Sequence, residues 1–140
     1  MRRSGLTLLE LTIVLAITGV LTVVAIPRLV GLRNASAVRS AASEVAALFT
    51  IARQSAVTSR TTVAVVFDTA AGDVIVRSGS RVVSRRQLRG IYSVLVSVNR
   101  DSAVYDARGM GYGVSNITIR IRRGSFVDTL TMSRLGRLTW

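Results

Sequence analysis

One carboxylate stands inside the longest apolar run of this chain: Glu10, within LTLLELTIVLAITGVLTVVAI, residues 6–26. An ionised carboxylate in hydrocarbon costs on the order of 2.5–3.5 kcal/mol, so Glu10 needs a partner or a use. A cut after Gly5 would create one. The new α-amine on Leu6 would titrate near about 7.7–8 and stay largely positive at neutral pH. The amine of the same chain lies too close along the helix to meet Glu10 squarely. That of a neighbouring copy, displaced axially by about one turn, could neutralise it inside a bundle of apolar helices. Such a pairing drives assembly and needs no catalytic centre.

The second chemical resource is arginine. All 19 basic residues are arginines, set against 7 acidic ones, for a net charge of +12. A surplus of that size favours polyanions such as DNA or anionic headgroups, and it also keeps a domain soluble. Arg120 and Arg122 fall on one face of an alternating segment, with Arg134 and Arg137 close to the C-terminus. These four are the candidate DNA-binding residues, able to take phosphate oxygens without reading sequence. Arg81, Arg85, Arg86 and Arg89 make a second group.

Other chemistry is poorly supported. The chain has no histidine and no cysteine, which removes the commonest general base, thiol chemistry and disulfides. Asp68, Asp73, Asp101, Asp106 and Asp128 are scattered and mostly adjoin turns, so no metal site is expected. Gly109-Met110-Gly111-Tyr112-Gly113 lacks the lysine and the strand–turn–helix setting of a phosphate loop and reads as a flexible loop. No cofactor, small-molecule substrate or enzymatic activity is expected.

The elements that must carry these residues follow from periodicity. At about 1.5 Å per residue the 6–26 run reaches roughly 31 Å, enough to cross a bilayer core. Past Pro27 the pattern becomes amphipathic: Val38, Ala41, Val45, Leu48, Ala52 and Ala56 recur at steps of three and four, flanked by Ala42 and Phe49. One helix is expected from about residue 6 to about 58, bent or loosened near Gly19 and Pro27. After Ser59 the period changes to two. Strands are expected at 62–67, 74–77, 81–85, 91–98, 117–122, 126–132 and 135–140, with 99–116 loop-like. In 91–98, Ile91, Ser93, Leu95 and Ser97 share one face. The class is α+β: a long N-terminal helix, transmembrane in its first half, packed on a C-terminal antiparallel β-sheet or sandwich.

The stretch Gly5-Leu6-Thr7-Leu8-Leu9-Glu10-Leu11, behind the basic leader Met1-Arg2-Arg3-Ser4, resembles the processing signal of type IV pilins and type II secretion pseudopilins. Leu6 stands where that superfamily more often has phenylalanine. Ala52-Arg53-Gln54-Ser55-Ala56, Asp106-Ala107-Arg108-Gly109 and Met132-Ser133-Arg134-Leu135-Gly136-Arg137 are similar to the GspH/FimT branch. The resemblance implies cleavage after Gly5 by a prepilin peptidase, methylation of Leu6, and Glu10 as the assembly residue. It implies a leader (1–5), a transmembrane and assembly helix (6–27), its amphipathic continuation (28–58) and a periplasmic β-domain (59–140). It also implies a single-pass inner-membrane subunit of a periplasmic pseudopilus or pilus, partnered by major and minor (pseudo)pilins. Some FimT-like members bind DNA during uptake through a C-terminal GRxR motif. Here that segment reads Gly136-Arg137-Leu138-Thr139, with threonine in place of the second arginine.

Overall fold

A computed structural model of the protein describes residues 7–113 and 116–140. Gly5 and Leu6 lie outside the described residues. The chain divides into two compact units, residues 1–33 and 34–140.

Helix α1 (Leu8–Ser59) runs unbroken through Gly19 and Pro27. Within the first unit its apolar side chains are exposed throughout, from Leu8 to Leu32. Within the second unit the amphipathic stripe closes a core. Val38, Ala41, Ala42, Val45, Leu48, Phe49, Ala52 and Ala56 are all buried, which are the residues whose spacing predicts that face. Four of the eight are alanines, and small side chains let a sheet approach the helix backbone closely.

The strands form two antiparallel sheets. β1 (Val63–Asp68), β2 (Asp73–Ser78), β3 (Arg81–Gln87) and β5 (Ser102–Tyr105) make one, in the order β3-β2-β1-β5. β4 (Leu95–Val98), β6 (Ile117–Arg123), β7 (Phe126–Met132) and β8 (Leu138–Thr139) make the other, in the order β4-β6-β7-β8. Val63, Val65, Phe67, Val76, Ala103 and Tyr105 from the first sheet join Ile117, Ile119, Ile121, Leu130 and Met132 from the second in one core with the helix stripe. Phe49 sits at its middle, with ring centroids 6.2 Å from Phe67 and 6.3 Å from Tyr105.

Three segments differ from expectation. The 91–98 run is not one strand: Leu88–Tyr92 form the short helix α2, Ser93 takes a left-handed conformation, and β4 begins at Leu95. Gly72 O accepts from the backbone N–H groups of Leu88 and Arg89, and the buried Leu88 pins the turn, so tertiary contacts override the local alternation. Residues 99–116 are not all loop. They hold β5, which pairs with β1 along Val63–Val66 and buries only Ala103 and Tyr105. The last strand shrinks to two residues because Ser133–Gly136 make a turn, with Gly136 N donating to Ser133 O at 2.9 Å.

Candidate functional site

Glu10 lies in the first turn of α1 and is exposed. Thr7 Oγ1 accepts from the Glu10 backbone N–H at 3.2 Å, capping the helix and leaving the carboxylate itself uncommitted. Further along, Thr12 donates to Leu9 O at 2.8 Å, Thr18 to Val14 O at 2.8 Å and Thr22 to Thr18 O at 2.7 Å. Those hydroxyls are satisfied within the helix, as hydrocarbon requires. Among the described residues, the carboxylate of Glu10 is therefore the polar side chain of this segment without a partner. The helix is long and apolar enough to cross a membrane.

The arginines fall into separate places. Arg120 and Arg122 are exposed on the outer face of the second sheet, where register sets Ser97, Arg120 and Thr129 in one row and Leu95, Arg122 and Val127 in the next. Arg134 is exposed in the turn before Gly136. Arg137 lies beyond the Met132–Leu138 pair. At about 3.3 Å per residue along a strand and about 4.8 Å between strands, Arg137 stands more than 10 Å from Arg120. The structure thus brings Arg120 and Arg122 together and sets Arg134 and Arg137 apart from them. In the second group, Arg85 binds the buried Asp73, Arg86 Nε donates to Glu44 Oε1 at 2.7 Å, and Arg89 Nη1 donates to Ala70 O at 2.8 Å.

Arg137 shares a groove with Arg53. Together with Phe49, Tyr105, Gly136 and Trp140 they line a groove of about 560 Å³ between α1 and the C-terminal turn. None of its lining residues is acidic, and neither guanidinium is ion-paired with a carboxylate among the described residues. Trp140 is 68% exposed at its rim. Gly136 is what lets this wall form. It is buried with φ +76°, and a Cβ there would stand 2.8 Å from Tyr105 Cε1. Tyr105 in turn donates to Gly136 O at 3.3 Å. Asp106 Oδ1 closes the neighbouring loop by accepting from the N–H groups of Arg108 and Met110, so this aspartate is a turn-former and the glycine-rich stretch starts from a hydrogen-bonded turn. Sequence reading missed that Arg53, Arg137 and Trp140 line one groove. The available signal was the Ala52–Ala56 segment together with Gly136-Arg137. Among the described residues no group of three metal-ligating side chains comes together.

Burial pushes the Tyr105 phenol up from 10.0 to about 12, while the Arg53 guanidinium pulls it the other way. Below pH 10 both folded and unfolded chains hold this proton. Between about pH 10 and 12 the unfolded chain releases it and the folded chain keeps it, so the stability it contributes is lost as pH rises through that window. The expected result is an alkaline fall in the urea midpoint that is shallower in Tyr105→Phe. An identical fall in both proteins would contradict the assignment.

Comparison with known proteins fits this architecture. Residues 41–136 match the family described as Type II transport protein GspH. No curated protein sequence matches the chain. The fold is similar to that of the Pseudomonas aeruginosa type IV minor pilin FimU in two crystal forms. One has a TM-score of 0.61 at 19% identity, over 73% of this chain and 86% of that one. The other has a TM-score of 0.60 at 16% identity, over 72% and 90%. The family is structural and non-catalytic. With the match running through the helix stripe, both sheets and the Gly136 turn, the chain belongs to the GspH family of the pseudopilins and type IV pilins.

Proposed function

We propose that the chain is a minor pseudopilin or minor pilin, a structural subunit of a periplasmic fibre and most directly of a type II secretion pseudopilus. The observation that carries this reading is a lone carboxylate, Glu10, on an exposed apolar helix joined to a β unit of the GspH family. A prepilin peptidase cuts after Gly5 and methylates Leu6. The inner membrane holds the helix until other pseudopilins accept it, and the new amine of a neighbouring subunit meets Glu10. The subunit then primes, caps or links the fibre. N-terminal sequencing and mass analysis of the membrane-extracted protein test the first step. The mature chain is expected to begin at methylated Leu6 only in cells that carry the peptidase. A chain that begins elsewhere would defeat the reading.

The groove of Arg53, Arg137 and Trp140, lined by no acidic side chain, supports a second reading, a FimT-like minor pilin that binds DNA without sequence preference. Residues 34–140 contain every buried core residue and suit a soluble assay. If DNA is held there, affinity falls steeply with salt, and Arg137→Ala reduces the magnitude of the negative slope of log K against log salt by about 1. Absence of binding at low salt leaves the first reading alone.

A further inference from the structure

The end of the second unit at which its chain begins carries an exposed rim separate from the groove. Gly124, in the β6–β7 turn, lies beside Asn34: a Cβ there would stand 3.3 Å from Asn34 Nδ2. Phe126, Val127 and Asp128 form a shallow depression with Ala35, Val38 and Arg39 of α1. Arg123 Nη1 donates to Tyr92 O at 2.6 Å, fastening the end of α2 to the same turn. Register then flanks Arg122 with Leu95 and Val127.

Composition changes along this outer face. Away from Asn34 it carries hydroxyls around the exposed Arg120, from Ser97, Thr118, Thr129, Thr131 and Thr139, and no exposed aliphatic side chain in these rows. Near Asn34 it carries Leu95 and Val127, which with Ile91 are 50%, 55% and 60% exposed, interleaved with the exposed Arg39 and Arg122. The acid of the rim is Asp128, half-buried, with Oδ1 accepting from the Thr129 N–H. Exposed aliphatic side chains set among guanidinium groups match a lipid headgroup layer, where arginine meets phosphate and aliphatic groups reach the acyl boundary. The chain leading into Asn34 is the apolar first half of α1, with Arg28 and Arg33 among the residues just before Asn34.

We propose that this rim rests on anionic lipid headgroups of the membrane that holds the N-terminal helix, before the subunit leaves for the fibre. The proposal depends on membrane anchoring and not on the identity of the fibre. Because the chain has no cysteine, single-cysteine variants each take one dye. Full-length Leu15→Cys, Ser80→Cys and Val127→Cys, labelled with an environment-sensitive dye, are reconstituted in vesicles. One set is phosphatidylethanolamine with phosphatidylglycerol; the other is phosphatidylcholine alone. Ser80 is in the β2–β3 turn, beside the far end of α1, where Ser78 meets Thr61.

Quenching by spin-labelled lipid is expected to be several-fold stronger at position 127 than at 80 in the anionic vesicles. It should drop toward the position-80 level in phosphatidylcholine and in Arg39→Glu/Arg122→Glu. Equal quenching at 127 and 80, with the dye at 15 quenched, would overturn the proposal while leaving anchoring intact. A dye at 15 that escapes quenching would defeat the anchoring reading instead, and this proposal with it. Shielding at 127 that tracks protein density and ignores headgroup charge would assign the rim to a second copy and overturn the lipid assignment.

Discussion

Phe49→Ala is expected to destabilise the 34–140 unit by about 3–5 kcal/mol, the range for deleting a large buried ring. Phe49 is 2% exposed and is the aromatic that α1 contributes to the core, touching the rings of both Phe67 on β1 and Tyr105 on β5. Removing it leaves a cavity that the alanine-rich stripe cannot fill, because Ala46, Ala52 and Ala56 have no longer side chain to move inward. The tilted contact with Phe67 and the edge contact with Tyr105 are lost as well, and Tyr105 also supports the Gly136 turn. For a domain whose total stability is about 5–15 kcal/mol, this is a large share. Thermal unfolding followed by circular dichroism should show a midpoint lowered by roughly 15–25 °C. A drop of only a degree or two would mean that the helix does not pack on the first sheet through this ring.

Glu10→Ala is expected to remove the chain from fibres while improving its hold on the membrane. Those two effects run in opposite directions, and that separates assembly from anchoring. Taking a carboxylate out of an apolar helix favours insertion by about 2.5–3.5 kcal/mol, so the variant should fractionate with membranes at least as well as the parent. In the bundle proposed above, the same change would leave a neighbour's amine buried without its counter-ion. Breaking a buried pair in this way costs about 3–5 kcal/mol, more than about a hundredfold in occupancy. Cleavage after Gly5 should be unaffected. Normal levels of the alanine variant in sheared fibres would remove Glu10 from the assembly contact.

What could be read from the sequence was whatever repeats along it. The helix stripe from Val38 to Ala56 matches because a one-sided contact imposes a period of 3.6. The Ile117, Ile119, Ile121 alternation and the 126–132 strand match because each buries one face in the core that the helix stripe joins. β5 escaped notice because four residues burying an alanine and a tyrosine leave too short a signal, and its pairing with β1 is remote in sequence. The 91–98 run misled because its alternation continues through a helical turn that Leu88 and the Gly72 carbonyl hold from elsewhere. Chemistry followed the same rule. Arg120 and Arg122 are two apart on one strand, so their common face was legible. Arg53 and Arg137 are joined only by tertiary packing around Tyr105 and Gly136, and no local pattern announces it. The glycine of the Gly136-Arg137 pair likewise has a reason visible only in three dimensions, the ring of Tyr105 where a side chain would stand.

Assembly is tested most directly by shearing fibres from cells producing the full-length chain and probing them for it, with and without the prepilin peptidase. The mature chain, starting at Leu6, is expected as a minor component of the fibre fraction and is expected to vanish from it when the peptidase is absent. A chain found only in membranes, with its leader intact in the presence of an active peptidase and no trace in the fibres, would contradict assembly.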